Sequence, residues 1–509
     1  MTNFSRQPKA TIVGLGLGGS LMAIYLARRG FDVQVYERRG DMRCEPVERG
    51  RSINMTLAAR GLRALEEVGL LDTVMQMTLP LRGRLVHSMK GSVSFQPYGK
   101  NDCEVIHAVM RNELNMLLMN TAQSYPNVKF SFHERCIRLD KENSAVHLLD
   151  ERTNELRWVS SDVIVGADGA FSMIRQQMHR GERAAYQQDF LDWGYKELTI
   201  PPGPNGSFQL DNRGLHIWPR GDAMLIAMPN YDGSFTCTCI LPFEGQVSFA
   251  SLTTPKAVRA LFDSDFSDAV PLMPSLVEDF LRNPVAEMIT TRTLPWRYKD
   301  RVVLLGDACH AVVPFYGQGM NAAFEDCRIL DECLGRHPGN LEEAFSYYQE
   351  LRKPNTDVLA DLSKQNFVEL RSKIRSPVFN ARKKVDVLIN KLFPRMWVPL
   401  YTMISHSTIP IADAVKICHR QHSIGRLFGV DLLLMMFTLA VIVTDLIGLL
   451  PFKRRKATLD REPLEREIIP IVEDESEFPP FLASALSAAE GRTDMDTPNS
   501  NFSRKGAIQ

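Results

Sequence analysis

The stretch "KATIVGLGLGGSLMAIYLARRGFDVQVYERR" (residues 9–39) decides the fold. A short β-branched strand runs into Gly14, Gly16 and Gly19 at GxGxxG spacing. The chain then turns helical through Leu21, Ile24, Tyr25 and Ala27, and a second strand from Val33 to Tyr36 is closed by Glu37. The three glycines have separate tasks: a tight turn, close backbone approach to a pyrophosphate, and packing of helix on strand. The unpaired N–H groups and dipole at the helix start favour an anion there. Glu37, about 20 residues on, is placed to accept hydrogen bonds from a ribose diol. Gly-rich turns are common by themselves, so the strand, helix, strand, acid context is what marks a dinucleotide site.

At 509 residues with 44% hydrophobic side chains, the chain can build two or three domains around a sizeable core. Its 60 basic and 60 acidic side chains cancel, so nothing in the overall charge suggests nucleic acid or an acidic polymer as partner. The nine cysteines include no CxxC pair, and Cys237 and Cys239 would share one face of a strand. Reduced intracellular thiols are expected, with no zinc, iron-sulfur or other metal site. No long apolar stretch follows the basic residues of the N-terminus, which argues against a cleaved signal peptide.

Two later stretches share one layout. "SDVIVGADGAFSMIRQQM" (161–178) gives a strand over 163–165, then Asp168-Gly169, then a helix opened by Ser172 and Arg175. "RVVLLGDACHAVVPFYGQGMNAAFED" (301–326) gives a strand, Gly306-Asp307, a Pro- and Gly-rich loop and a helix beginning near Gly319, Met320 and Asn321. Two Asp-bearing turns after two strands are more than an NAD dehydrogenase needs.

GxGxxG, DGxxSxxR and GDxxHxxxPxxGxGxN in this order resemble the class A flavin-dependent aromatic hydroxylases over roughly residues 9 to 370. The resemblance implies FAD as bound cofactor and NADPH as reductant, without a second nucleotide fold. It implies that Gly14, Gly16, Gly19 and Glu37 hold the ADP part of FAD, with Arg111 near its phosphates and Gly18, Arg38 and Arg39 also in the cofactor shell. Asp168 and Arg175 would serve FAD and NADPH, Asp307 the ribityl chain, and Cys136, Gly319, Met320 and Asn321 would complete the cofactor shell. A helix dipole at Gly319 aimed at the flavin pyrimidine would stabilise the anionic reduced form. Cys309 is read as a small buried side chain without redox duty.

Longer stretches, among them "ERGRSINMTLAARGLRALEEVGL" (48–70), "LRGRLVHSMKG" (81–91) and "PLYTM" (399–403), are similar to the kynurenine-hydroxylating members of that family. The implied reaction converts L-kynurenine and O2 to 3-hydroxy-L-kynurenine. Arg84 and Tyr98 would hold the substrate carboxylate, and Asn366 and Tyr401 would complete the pocket. An arginine fork suits a carboxylate, and a tyrosine hydroxyl adds a directional donor. From the residues alone, Arg84 reads as a solvated strand-edge arginine beside Arg82, and Tyr98 as turn packing. Flavin C4a-hydroperoxide chemistry places the reactive oxygen on the cofactor, and the substrate's aniline nitrogen activates the ring. No protein group, His310 included, is therefore assigned as catalytic. Pro314, Phe315 and Tyr316 are the expected apolar wall that excludes water.

The expected architecture is α/β: a Rossmann-like FAD-binding domain (9–180, returning at 296–335), an antiparallel-sheet substrate domain (181–295) and a helical C-terminal region (336–426) ending in a membrane segment. That segment, "LFGVDLLLMMFTLAVIVTDLIGLL" (427–450), is long enough to cross a bilayer, although Asp431 and Asp445 would each cost about 2.5–3.5 kcal/mol if central. It implies anchorage, by resemblance in the mitochondrial outer membrane, before a disordered acidic tail over 457–509. Two other readings fit the motifs: a related membrane flavoenzyme such as an epoxidase acting on a lipid, and a flavin-holding membrane scaffold without turnover.

Overall fold

The computed structural model describes residues 7–45, 54–101, 104–373 and 376–427, with the isolated positions 436, 439 and 440. The opening stretch forms the strand Lys9–Val13, the helix Leu17–Arg28 and the strand Asp32–Tyr36. These lie in a six-stranded sheet ordered Arg297–Tyr298, Val302–Leu304, Val163–Gly166, Lys9–Val13, Asp32–Tyr36, Val128–Ser131. Its strands run parallel except the Arg297–Tyr298 edge. Near-continuous apolar strands such as 163–166 are what a sheet covered on both faces requires. The helices Leu17–Arg28 and Gly319–Arg336 pack into the same core with Ile12, Val165, Leu304 and Phe324.

A seven-stranded sheet is ordered Ala286–Leu294, Ala185–Ile200, Phe235–Pro242, Met224–Pro229, Gly214–Pro219, Gly83–His87, Val93–Pro97. It is antiparallel apart from the Gly214–Pro219 and Gly83–His87 pair, where Arg84 lies beside Leu215. The two-residue period of the strands divides its faces. Trp218, Leu225, Cys237, Cys239 and Leu241 face an outer core under the helices Pro255–Asp265 and Leu276–Arg282. Ile217, Met224 and Ile240 face inward, toward Phe315 and Phe367. Cys237 and Cys239 thus share a face as small apolar fillers, and burial pushes the Cys239 thiol up to about 12.

A smaller sheet of Met55–Leu57, Ile106–Val109 and Leu79–Leu81 braces the join between the two large sheets. His107 is buried in it, and burial followed by the charge of His406 holds its imidazole down at about 4. The unfolded chain would bind that proton near pH 6.5, so the neutral ring stabilises the fold fully above that value. The contribution erodes as pH falls toward 4, by about 1.4 kcal/mol per pH unit. Thermal melting between pH 7 and 4 should show this loss, and His107→Gln should flatten it; an unchanged slope would assign the acid sensitivity elsewhere.

From Leu341 onward the chain is helical: Leu341–Val368, a π-helical turn Glu369–Lys373, then Pro377–Leu392, Leu400–Ser405 and Ile411–Leu427. The expected membrane-spanning end of this region is corrected. Among the described residues no helix is long and apolar enough to cross a membrane. The last one, Ile411–Leu427, carries Asp413, Lys416, His419, Arg420, His422 and Arg426, a charge density that hydrocarbon does not accept. Residues 428–435, 437–438 and 441–450, on which the expected segment mainly rested, lie outside the described residues, as does the 457–509 tail.

Candidate active site

The glycine turn is built as its sequence requires. Gly14 sits at φ +100°, and a Cβ there would stand 2.5 Å from the Ala167 carbonyl oxygen. A Cβ on Gly19 would lie 2.0 Å from the Gly14 carbonyl oxygen, so helix and turn touch backbone to backbone. Beside Gly16, by contrast, nothing lies within 4 Å. Gly16 is the N-cap of the helix Leu17–Arg28, whose first turn has neither a side-chain cap nor an acid. The result is an open cradle of unpaired N–H groups, suited to a pyrophosphate. Glu37 is fixed at its rim: its Oε2 accepts from the Leu15 amide at 2.9 Å and its Oε1 from the Arg39 amide at 3.0 Å. The Arg38 and Arg39 side chains are exposed. Gly18 meets the Leu305 side chain, and Arg111 opens the helix Arg111–Gln123.

The Asp168 turn is engaged internally. Its carboxylate accepts from the Ser172 hydroxyl at 2.5 Å and from the Ile174 amide at 3.0 Å, and burial raises its pKa against those donors. Arg175 is buried, donating to the Ala308 and Ala170 carbonyls and to the Tyr186 hydroxyl. Arg175 therefore ties the Asp168 turn to the Asp307 turn. Cys136 lies near Asp168, and burial followed by that charge raises its thiol pKa.

In the second Asp-bearing turn Asp307 is exposed between buried Gly306 and Ala308, so its carboxylate projects out of the core. The following loop leads from there to Pro314–Tyr316 and on to the helix Gly319–Arg336, again without a side-chain cap or a first-turn acid. Met320 is buried beside it. The Asn321 amide is committed to backbone: it donates to the Thr56 and Gly317 carbonyls and accepts from the Ala58 amide. Gln318, which the motif reading passed over, is buried with Oε1 unpartnered at this N-terminus. Its adjacency to the glycines of "YGQGMN" was the available signal. An orphaned acceptor, an uncapped helix start and a projecting Asp307 on one loop, with the glycine cradle and Glu37 after the strands Lys9–Val13 and Asp32–Tyr36 of the same sheet, fit a flavin dinucleotide.

The loop also walls the second half of the site. The Phe315 ring lies 4.5 Å from that of Phe367, which meets Trp193 edge-on. Asn366 Nδ2 donates to the Phe315 carbonyl at 2.5 Å, so this residue shapes the wall through the backbone. Pro314 is exposed at the loop's turn, and Tyr316 stands 5.7 Å from Tyr401. Tyr98 and Tyr401 stack at 5.3 Å, and the Arg84 guanidinium lies over both rings, at 5.5 and 5.7 Å. Burial opposes that charge, but the two tyrosine hydroxyls outweigh it and hold the Arg84 pKa above its ordinary value. Its Nε is buried without a hydrogen-bond partner, and among the described residues it forms no ion pair. A guanidinium flanked by two rings and paired with no carboxylate among the described residues presents its donors to an incoming anion.

The family model described as "FAD binding domain" matches residues 8–344. Kynurenine 3-monooxygenase of Salinispora arenicola is 49% identical over 453 residues, covering 89% of this chain and 99% of the relative. Its namesake in Dictyostelium discoideum is 41% identical over 419 residues, covering 80% of this chain and 90% of the relative. The chain belongs to the kynurenine 3-monooxygenase family. The tetrameric form of 2-methyl-3-hydroxypyridine-5-carboxylic acid oxygenase has the same fold, with a TM-score of 0.59 at 21% identity over 74% of this chain and 96% of that one. P. aeruginosa PqsL in complex with 2-aminobenzoylacetate scores 0.55 at 21% identity, covering 73% and 98%. The loop from Asp307 to Gly319 runs between the exposed Asp307 carboxylate and the Tyr316 ring, which stands beside the tyrosine-flanked Arg84.

His310 is buried behind the Asp307 turn, its Nε2 facing Asp326 Oδ2 at 2.5 Å. Ligand atoms of Cys309, His310 and Asp326 lie within 4.8 Å of one another. Asp326 is already filled by protein donors, and the Arg352 guanidinium bound to it would repel a cation.

Proposed function

We propose that this chain is an FAD-dependent monooxygenase that uses NADPH and O2 to hydroxylate L-kynurenine to 3-hydroxy-L-kynurenine. The observation that carries the reading is Arg84, a half-buried cation between Tyr98 and Tyr401 whose Nε has no hydrogen-bond partner among the described residues, reached by the same loop that presents Asp307. Bound FAD supplies the oxygen-transfer chemistry once NADPH has reduced it. The glycine cradle and Glu37 hold its ADP part, Asp307 its ribityl chain, and the helix starting at Gly319 faces its pyrimidine with Gln318 as an acceptor. Arg84 binds the substrate carboxylate, while Tyr98 and Tyr401 fix its direction. Phe315, Phe367 and Tyr316 keep water from the ring, and Asn366 keeps that wall in place. An uncharged lipid substrate gives this half-buried arginine no counter-charge, and a scaffold without turnover gives it no ligand.

The purified protein should be yellow, with FAD that denaturation releases. NADPH oxidation should accelerate on adding L-kynurenine, with a product sixteen mass units heavier, as one inserted oxygen requires. Colourless protein that takes up no FAD, or NADPH oxidation indifferent to kynurenine, would sink the assignment.

A further inference from the structure

Behind the turn that presents Asp307, five ionisable side chains are packed out of solvent: Arg60, His310, Glu325, Asp326 and Arg352. Arg352, on the helix Leu341–Val368, does not make the two-pronged fork with one carboxylate that guanidinium geometry favours. Its Nη1 reaches Glu325, while its Nε donates to Asp326 Oδ1 at 2.7 Å. Glu325 is balanced further by Arg60 at 3.4 Å, and Arg60 also holds the Ile409 carbonyl. Splitting the fork leaves Asp326 Oδ2 for other donors. It accepts from the Gly306 amide at 3.1 Å and meets His310 Nε2 at 2.5 Å.

Gly306 and His310 bracket the short helical turn Asp307–His310, so one carboxylate grips both ends of the segment that aims Asp307. The first of those ends is a glycine at φ +61°, ψ −136°, a backbone conformation that side-chain-bearing residues rarely adopt and that needs support from outside the turn. Asp326 itself belongs to the helix Gly319–Arg336, two turns from its start. The grip therefore fixes Asp307 relative to that helix N-terminus. Neutralising two buried arginines would require none of these contacts with the turn.

We propose that Asp326 is a positioning residue for the flavin site: it locks the turn bearing Asp307 to the helix that begins at Gly319. The proposal rests on the flavin reading of the site. Binding of FAD to the apoprotein, followed by flavin fluorescence, separates the two, since wild type failing to take up FAD would overturn both. Asp326→Asn should weaken FAD binding at least tenfold and shift the flavin midpoint potential. If it acts through Asp307, then Asp307→Asn combined with Asp326→Asn should bind FAD no more weakly than the stronger-effect single variant, a non-additivity that unconnected sites do not show. His310→Gln, which leaves both arginine ion pairs in place, should weaken FAD binding in the same direction, and it decides the matter if Asp326→Asn does not fold. Strictly additive losses, or His310→Gln binding FAD as tightly as wild type with an unshifted potential, would overturn the positioning role.

Discussion

Arg84→Ala should weaken L-kynurenine binding by about 10- to 100-fold, the equivalent of the ~1.5–3 kcal/mol that a hydrogen bond to a charged group typically contributes. FAD content should stay normal, because Arg84 lies on the strand Gly83–His87 of the seven-stranded sheet, while the glycine turn and the Asp307 turn belong to the six-stranded one. The side chain cannot be replaced by charge alone. Arg84→Lys keeps a cation between Tyr98 and Tyr401 but loses the planar fork that matches a carboxylate and stacks on rings, so it should recover only part of the affinity. Unchanged affinity in a kynurenine titration would return Arg84 to the strand-edge role that its sequence neighbour Arg82 suggested.

The second large effect is expected at the glycine turn, where two alanines should fail for different reasons. Gly19→Ala places a Cβ 2.0 Å from the Gly14 carbonyl oxygen, and backbone on both sides leaves no flexible side chain to yield. The helix Leu17–Arg28, buried along most of its length, must then move off the strand Lys9–Val13. Overpacking of this kind typically costs about 1–3 kcal/mol or more, so both thermal stability and FAD binding should fall. Gly16→Ala meets nothing within 4 Å, so apoprotein stability should hold. Its methyl group enters the space that a pyrophosphate would take, and FAD affinity alone should drop. Equal behaviour of the two variants in melting and in FAD titration would refute the cradle.

The alternation of strand, glycine turn, helix and acid was legible in residues 9–39 because each element there is locally determined: β-branched residues, glycines at forced positions, then an apolar helical run. The Asp307 turn and the helix after it were legible for the same reason. Other residues carry no such local mark. Asp168 and Arg175 sit in a recognisable motif, yet their polar atoms turn inward to Ser172, Ile174, Ala308 and Ala170. Asn321 likewise anchors Thr56 and Ala58 rather than projecting into the open site. Gln318, Phe367 and Asp326 looked ordinary because burial and partners at sequence distance define them. The apolar run over 427–450 misled in another way: hydropathy measures a segment's cost in lipid without saying where the described helices end.

By itself, then, the sequence determined the dinucleotide half of this protein, since a phosphate cradle is made of backbone and needs only glycines, a helix start and an acid at local spacing. The substrate half was decided by tertiary structure. Arg84 and Tyr98 lie between the first and second cofactor motifs in the chain, yet the strands Gly83–His87 and Val93–Pro97 join a sheet whose other five strands come from residues 185–294. Tyr401 arrives from a helix some three hundred residues later to close the ring pair. Whether an arginine is a solvated edge residue or a buried anion site depends on which surfaces exclude water around it, and only the packing of distant segments sets that.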